Sequence, residues 1–228
     1  MDRSPNTAAR VAARLGLGSP AVMDINVVCA GFTHALASAD HAIRAGAARN
    51  ALVIGVEKFT DVVDWTDRST CVLVGDGAGA AVVTASAEPG IGPVVWGSVP
   101  EMGHAVRIEG TPSRFAQRAS RSTAGPPPSC RRSPAGSASG PGRAGGTGRR
   151  SSSTRRTCAS SSPSHGGSGA VNAVIATDVT ESGNTSAASI PLALSKLVER
   201  RTVEPGAPVL LFGFGGNLSY GGQVIHCP

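Results

Sequence analysis

The sequence predicts a layered α/β fold, and three observations predict it. Short continuous apolar runs such as 51–56 and 208–212 have the length and β-branched composition of buried strands. Other stretches, 30–45 above all, repeat apolar residues at helical spacing. The two kinds alternate along the chain, on both sides of a middle segment that has neither.

The first element is a helix over TAARVAARLGL, which sets Ala8, Val11 and Leu15 on one face before Gly16 and Gly18 end it. A buried strand follows at 21–28. From 30 to 45, Phe32, Leu36, Ala39 and Ile43 recur on one helical face, and Gly46 supplies the stop. Another buried strand covers 51–56. Apolar runs at 71–74 and 78–84 flank Gly75-Asp76-Gly77, which reads as the turn between two strands and lacks the spacing of a nucleotide-phosphate loop. After Ser168 the pattern resumes with a strand at 173–176 and an amphipathic helix at 186–200. A buried strand at 208–212 then runs into FGFGGN, and a last strand covers 219–225. No fixed-period repeat appears.

The middle segment, 118–168, carries nine arginines, no acidic residue, and no Val, Ile, Leu, Met, Phe, Tyr or Trp. Such a stretch cannot bury a core. Removing its nine positive charges from the chain's +6 leaves −3 for the remainder, so the high pI of 9.6 belongs to this segment and does not imply a nucleic-acid protein. No apolar run reaches the length that crosses a bilayer, and the N-terminus lacks the hydrophobic stretch of a signal peptide, so the chain reads as cytosolic. Five cysteines (Cys29, Cys71, Cys130, Cys158, Cys227) are scattered, without the spacing of a disulfide framework or a zinc site.

Cys29 stands where a predicted strand hands over to a predicted helix, in DINVVCAGF. Helix N-terminal N–H groups favour a thiolate there, which would lower the thiol pKa and make the sulfur a nucleophile. The small residues Ala30 and Gly31 would let a substrate approach. The alternative is a free cysteine acting as a small buried hydrophobe.

DINVVCAGFTHAL, ALVIGVE, DWTDRSTCVLVGDGAGAAVV, SGNTSAASIPLAL and LLFGFGGNLSYGGQVI, in this order, resemble β-ketoacyl-acyl-carrier-protein synthase III, a condensing enzyme of the thiolase-like fold. The resemblance covers 5–117 and 169–228. It implies two related α/β halves, incomplete here: a remnant of the first at 1–85, carrying the nucleophile, and the second at 86–228, interrupted by 118–168. It also implies that strand and helix units normally precede the PNTAAR helix. By resemblance Cys29 accepts an acyl group from acyl-CoA, and Asn184 hydrogen-bonds the malonyl thioester carbonyl, its plain alternative being a turn or capping Asn. Gly216 matches the glycine whose N–H, with that of Cys29, forms an oxyanion hole; where the family usually has a further glycine this chain has Asn217. Arg68 matches an arginine at the mouth of the pantetheine tunnel, against the alternative of a solvated Asp-Arg pair. Val74 falls where the family often places an acyl-pocket Phe, against the alternative of core packing.

The family also uses a histidine opening an HQAN motif, and no HxxN occurs here. Of the five histidines, His34 and His41 read as packing or surface residues one helix face apart, His165 sits in the middle segment, and His104 and His226 lack the required neighbours. The composition of 118–168 is what a GC-rich gene yields in the wrong frame. With synonymous codons chosen to suit, 153–168 regrouped from the third base reads HQANLRIIEPLARRL, and 118–130 at the same offset reads GIAVYRWATTQL. A compensated frameshift between about 117 and 169 is therefore the leading reading, against a basic disordered linker. On either, 118–168 is expected to be irregular.

The implied activity is decarboxylative Claisen condensation of acyl-CoA with malonyl-acyl-carrier protein, giving a β-ketoacyl product in fatty acid or polyketide initiation. No metal or redox cofactor is implied, acyl-CoA is a substrate, and a homodimer is the implied assembly, with no membrane and no specific nucleic acid as partner. The alternatives are an inactive or truncated pseudoenzyme and a thiolase-fold acyltransferase without decarboxylation.

Overall fold

Helix α1, Thr7–Arg14, is opened by Asn6, whose side chain accepts Ala9 N–H at 2.9 Å, while the Asp24 carboxylate accepts Thr7 and Ala8 N–H at 2.7 and 2.9 Å. Three of the N–H groups that a helix start leaves without partners are thereby satisfied. The computed structural model describes residues 5–103, 106–110, 113–117, 157–160, 173–216 and 218–228. The face α1 buries differs from the expected one: Ala12 is its buried residue, and Leu15 is 55% exposed.

Residues 21–27 form no strand, against expectation. A strand needs a neighbour for its backbone groups, and no described segment pairs with this one. Contacts from α1 hold it instead, Asn6 Nδ2 donating to Val22 O and Asp24 reaching back to α1.

Helix α2, Gly31–Arg44, follows as expected, burying Phe32 and Leu36 and ending before Gly46 at φ +74. Strand β1, Asn50–Glu57, pairs antiparallel with β2, Gly77–Thr84, from Asn50↔Thr84 to Glu57↔Gly77. The apolar run at 71–74 is not a strand. It is a series of turns with a single parallel bridge, Val74 to Asn184, so Gly75-Asp76-Gly77 links turns to β2 rather than two strands. Asp76 there accepts from Thr60 N–H and hydroxyl at 2.9 and 2.6 Å.

The remaining elements are β3 (Val95–Gly97), β4 (Val106–Glu109), β5 (Arg114–Gln117), β6 (Thr157–Ser160), β7 (Val174–Ile175), α3 (Val179–Ser182), α4 (Ser189–Glu199), β8 (Pro208–Phe214) and β9 (Tyr220–His226). β4 and β5 make a small antiparallel pair. A five-stranded sheet runs β3-β9-β8-β6-β7, antiparallel between β3, β9 and β8 and parallel from β8 through β6 to β7. The expected helix at 186–200 is a 3-10 turn, Ser186–Ala188, continued by α4, with Pro191 tolerated in its first turn.

β6 corrects the expectation that 118–168 is irregular throughout: residues 157–160 occupy a central strand, Cys158 opposite Leu210 on one side and Ile175 on the other. The ladder between β7 and β8 is made by backbone groups, which every non-proline residue supplies, so an Arg/Ser-rich neighbourhood does not bar it. The rest of 118–168 lies outside the described residues.

Helices α2 and α4 lie between the two sheets. α2 packs on β1 and β8, and α4 on β2, β6 and β8. Phe32 and Leu36 of α2, Ile190 and Leu194 of α4, Val53 of β1, and Val209, Leu211 and Ile225 of the large sheet form one apolar core. A helix covered on two sides must be apolar on two sides, which is why α4 reads SIPLALSKLVE.

Candidate active site

Cys29 sits in a 3-10 turn, Val28–Ala30, between the 21–27 segment and α2. Val28 holds φ +51, an uncommon conformation for a β-branched residue, and it bends the chain sharply ahead of the sulfur. The Ala30 carbonyl is gripped twice, by Thr33 Oγ1 and by His34 Nδ1–H, each at 2.9 Å. Behind the turn lies Gly213 of β8, where a Cβ would stand 3.0 Å from Cys29 O and 3.3 Å from Ala30 Cα. Gly213 is thus required by close approach, which sequence reasoning missed.

The electrostatics of the thiol differ from the expected lowering. Burial pushes the Cys29 pKa up, the Ser186 hydroxyl bonded to it works the other way, and the Glu57 carboxylate raises it further. A helix start contributes about 0.3–1 kcal/mol for an exposed charge, while burying an anion costs more. The resting sulfur is therefore a thiol.

Ser186 organises the site. Its hydroxyl acts to lower the pKa of both Cys29 and Glu57, and its N–H donates to Asn184 Oδ1 at 2.9 Å. Ser186 itself is buried, at φ +50. Asn184 is fixed from the other side: its N–H donates to Leu73 O at 2.9 Å, and its O accepts Gly75 N–H at 3.1 Å. The capping alternative for Asn184 is thus realised through Oδ1, and this leaves the amide NH₂, a donor, as the group suited to a carbonyl oxygen. Glu57 is half-buried because the inward register of β1 runs Val53, Gly55, Glu57. Burial raises its pKa, against hydrogen bonds from Ser186 and from Ala187 N–H that lower it. Neither Ser186 nor Glu57 was singled out from the sequence, although the alternation in NALVIGVE places Glu57 on the core face.

The other expected residues are placed less closely. Gly216 lies in the β8–β9 turn, where a Cβ would overlap the Val106 side chain, so its glycine is explained by packing on β4. Asn217 falls outside the described residues. Val74 packs beside Phe59, Val63 and Phe115, as the core-packing alternative holds, while its bridge to Asn184 keeps it next to the site. Arg68 is exposed on a loop shaped by Asp67, which accepts from Ser69 and Thr70 rather than acting as a partner for Arg68. No hydrogen bond among the described residues ties Gly216 or Arg68 to Cys29.

His34 stacks on Trp96 with ring centroids 5.2 Å apart, and His41 meets the same indole edge-on at 5.9 Å, the packing role expected of them. His104 and His165 lie outside the described residues. Among the described residues no group of three or more His, Cys, Asp or Glu could hold a metal ion.

The family profile for 3-oxoacyl-[acyl-carrier-protein (ACP)] synthase III matches residues 23–100, and the profile for its C-terminal part matches 168–227. The chain is 65% identical over 234 residues to β-ketoacyl-[acyl-carrier-protein] synthase III 2 of Streptomyces avermitilis, covering 100% of this chain and 73% of the relative. It is 62% identical over 235 residues to synthase III 4 of Streptomyces coelicolor, again with 100% and 73% covered. Among solved structures, the priming β-ketosynthase of the R1128 polyketide biosynthetic pathway superposes with a TM-score of 0.76 at 28% identity, over 100% of this chain and 72% of that one. The 3-oxoacyl-[acyl-carrier-protein] synthase III of Aquifex aeolicus gives 0.73 at 27% identity, over 99% and 73%. With the helix-borne cysteine, the GNTSA turn against it and two sheets around the central helices, these matches show that the chain belongs to the β-ketoacyl-[acyl-carrier-protein] synthase III family, condensing enzymes of the thiolase-like fold.

Proposed function

We propose that this chain is the catalytic body of a cytosolic β-ketoacyl-acyl-carrier-protein synthase. Cys29 takes an acyl group from acyl-CoA as a thioester, malonyl-acyl-carrier protein then loses carbon dioxide, and the resulting carbanion attacks the thioester carbon. One observation carries this reading: the 186–188 turn packs against the nucleophile turn and the start of α2, a Cβ on Gly31 standing 3.4 Å from Ala187 Cβ, and Ser186 N–H fixes Asn184 Oδ1, so the carbonyl-binding amide is anchored on the turn that faces Cys29. Asn184 donates to the malonyl thioester oxygen, the Cys29 and Gly216 N–H groups receive the oxyanion, Val74 borders the acyl chain, and Arg68 meets the CoA nucleotide or the carrier protein at the rim. The names of the relatives support this. No described helix is long and apolar enough to cross a membrane. A second copy of the chain completes the assembly; the outward face of β1–β2, with Leu52, Val56 and Val82 exposed, supplies apolar surface for such a contact.

A transferase without decarboxylation is favoured by one observation. His34 and His41, the histidines nearest in sequence to Cys29, are packed on Trp96, so neither is given over to an enolate. Losing one donor to a developing oxyanion costs about 10²–10³ in rate. The test is labelled acyl-CoA followed by malonyl-carrier protein. Label on Cys29 that chases into a β-ketoacyl product supports condensation, label that stays supports acyl transfer alone, and label unaffected by Cys29→Ala refutes both. Sequencing the gene across codons 117–169 tests the frameshift directly; an uninterrupted single frame with stops in the neighbouring one refutes it.

A further inference from the structure

One row across the large sheet carries the nucleophile turn. Gly213 of β8 lies opposite Gly221 of β9, and Gly221 lies opposite Trp96 of β3. Residues opposite one another on neighbouring strands present the same face of a sheet, and this strip meets the start of α2. Gly213 faces the nucleophile turn, where its Cβ would stand 3.0 Å from Cys29 O and 3.3 Å from Ala30 Cα. Gly221 faces α2, where a Cβ would stand 2.6 Å from Thr33 Oγ1 and 3.1 Å from His34 Nδ1 and Cε1. Trp96 takes the His34 ring face to face, with centroids 5.2 Å apart and planes 26° from parallel. The two glycines make a seat for the turn, and the indole walls its side.

The strip positions the side chains that hold the carbonyl of Ala30, the residue after Cys29. Thr33 Oγ1 and His34 Nδ1 both reach that oxygen at 2.9 Å. A carbonyl oxygen only accepts, so the His34 proton is on Nδ1, a tautomer set by the main chain. Thr33 is fully buried and His34 is half-buried. Trp96 covers one face of the imidazole, Gly221 abuts its Nδ1–Cε1 edge, and the Nδ1 proton is committed to Ala30 O. The carbonyls of residues 29 and 30 are thus both located, the first by close approach to β8 and the second by this clamp.

We propose that His34 is a positioning residue for acyl transfer to Cys29: its Nδ1–H, with the Thr33 hydroxyl, fixes the Ala30 carbonyl and thereby the aim of Sγ and of the Cys29 N–H at the acyl carbonyl. This rests on the reading of Cys29 as the acyl acceptor. In the transfer Sγ bonds to the acyl carbon, the carbon–sulfur bond to CoA breaks, and the Cys29 proton ends on the CoA sulfur. His34 acts through the turn and neither gives nor takes a proton. A misplacement of about 1 Å at reacting groups costs about 10²-fold in rate. Thr33 still holds Ala30 O when His34 is changed, so the loss expected from His34 alone is smaller, about tenfold.

Three substitutions separate the donor from the ring. His34→Phe keeps a ring against Trp96 and removes the donor, His34→Asn keeps an amide N–H at the place of Nδ1 and removes the ring, and Thr33→Val removes the second donor. Labelling of Cys29 is followed in single turnovers against concentration, with the fastest of an acetyl- to octanoyl-CoA series. His34→Phe should lower the saturating rate about tenfold and leave the half-saturating concentration within about twofold. Adding Thr33→Val should lower the rate further, and His34→Asn should recover most of the loss. Iodoacetamide attack on the sulfur needs no oxyanion site, so Cys29 alkylation should stay within about twofold of wild type in every variant. His34→Asn as slow as His34→Phe, or alkylation slowed as much as acyl transfer, means that the ring only packs, and either result overturns the proposal. The wild type gives a further test in which no variant has to fold: nitrogen–proton correlation spectra of the neutral ring should show Nδ1 protonated and Nε2 bare, and the opposite tautomer overturns the proposal. Label that survives Cys29→Ala refutes the acyl-acceptor reading itself, a failure told apart from that of the clamp because the tautomer is read without any acyl donor.

Discussion

Replacing Gly55 by alanine tests the contact on which the site is built. A Cβ there overlaps Ala187 O and stands 2.8 Å from Ala187 C and 3.1 Å from Ala188 Cα, all backbone atoms that no rotamer change can move aside. Either β1 or the 186–188 turn must shift by several tenths of an ångström. Overpacking of this kind costs about 1–3 kcal/mol, and the stiffer unfolded chain returns about 0.4–1 kcal/mol. The net is roughly 1–2 kcal/mol of destabilisation. At about 2–4 °C per kcal/mol for a chain of this size, the melting temperature should fall by roughly 2–8 °C. Cys29 alkylation should change with it, because the displaced turn carries Ser186. Differential scanning fluorimetry and urea unfolding measure the first effect, and iodoacetamide kinetics the second. Gly18→Ala is the control, since nothing lies within 4 Å of a Cβ there. A Gly55→Ala protein as stable as its parent, with unchanged alkylation, would refute the packing argument.

Phe32→Ala empties the centre of the core between the sheets, where Phe32 is 1% exposed, and should cost about 3–5 kcal/mol, seen as a lowered urea midpoint with unchanged slope. Asp24→Ala removes the acceptor for Thr7 and Ala8 N–H and should cost about 0.5–2 kcal/mol of α1 stability, read as faster amide exchange over 7–14. For Asp24, slight burial raises the pKa, but the Thr7 and Ala8 hydrogen bonds outweigh it and hold the carboxyl below its ordinary value. A depressed folded pKa gives stability that is present above the unfolded value, about 3.9, and lost as the pH falls through the folded one. Protection of α1 should therefore fade only below about pH 4 and be indifferent to base.

The elements legible in the sequence are those whose pattern is local. α2 shows Phe32, Leu36, Ala39 and Ile43 at helical spacing, and β8 and β9 are apolar runs with a turn between them. The 21–28 segment misled because an apolar run records burial potential, while a strand also needs a neighbour to pair with. β6 was hidden for the opposite reason, since its ladder with β7 and β8 asks nothing of side-chain pattern. For the candidate site, motif resemblance pointed to Cys29 and Asn184, which the structure sets on neighbouring turns, and to Gly216, Arg68 and Val74, which it places less closely. Ser186 and Glu57 were not singled out, because their influence on Cys29 comes from parts of the chain distant in sequence. The lowered thiol pKa failed because the helix start was weighed without the burial around it.

The seat of Cys29 against Gly213 has a consequence for biosynthesis. A ribosome adding roughly 5–20 residues per second makes the thiol on the order of ten to thirty seconds before the strand that backs it. For most of that interval the nascent chain carries α2 with neither Ile190 nor Leu211 to cover it, and the sulfur is open to oxidants and electrophiles. The first chemistry-bearing residue to leave the ribosome tunnel is among the last to be enclosed, so cells short of reductant or of holding chaperones should lose this enzyme during its synthesis sooner than they inactivate the finished protein.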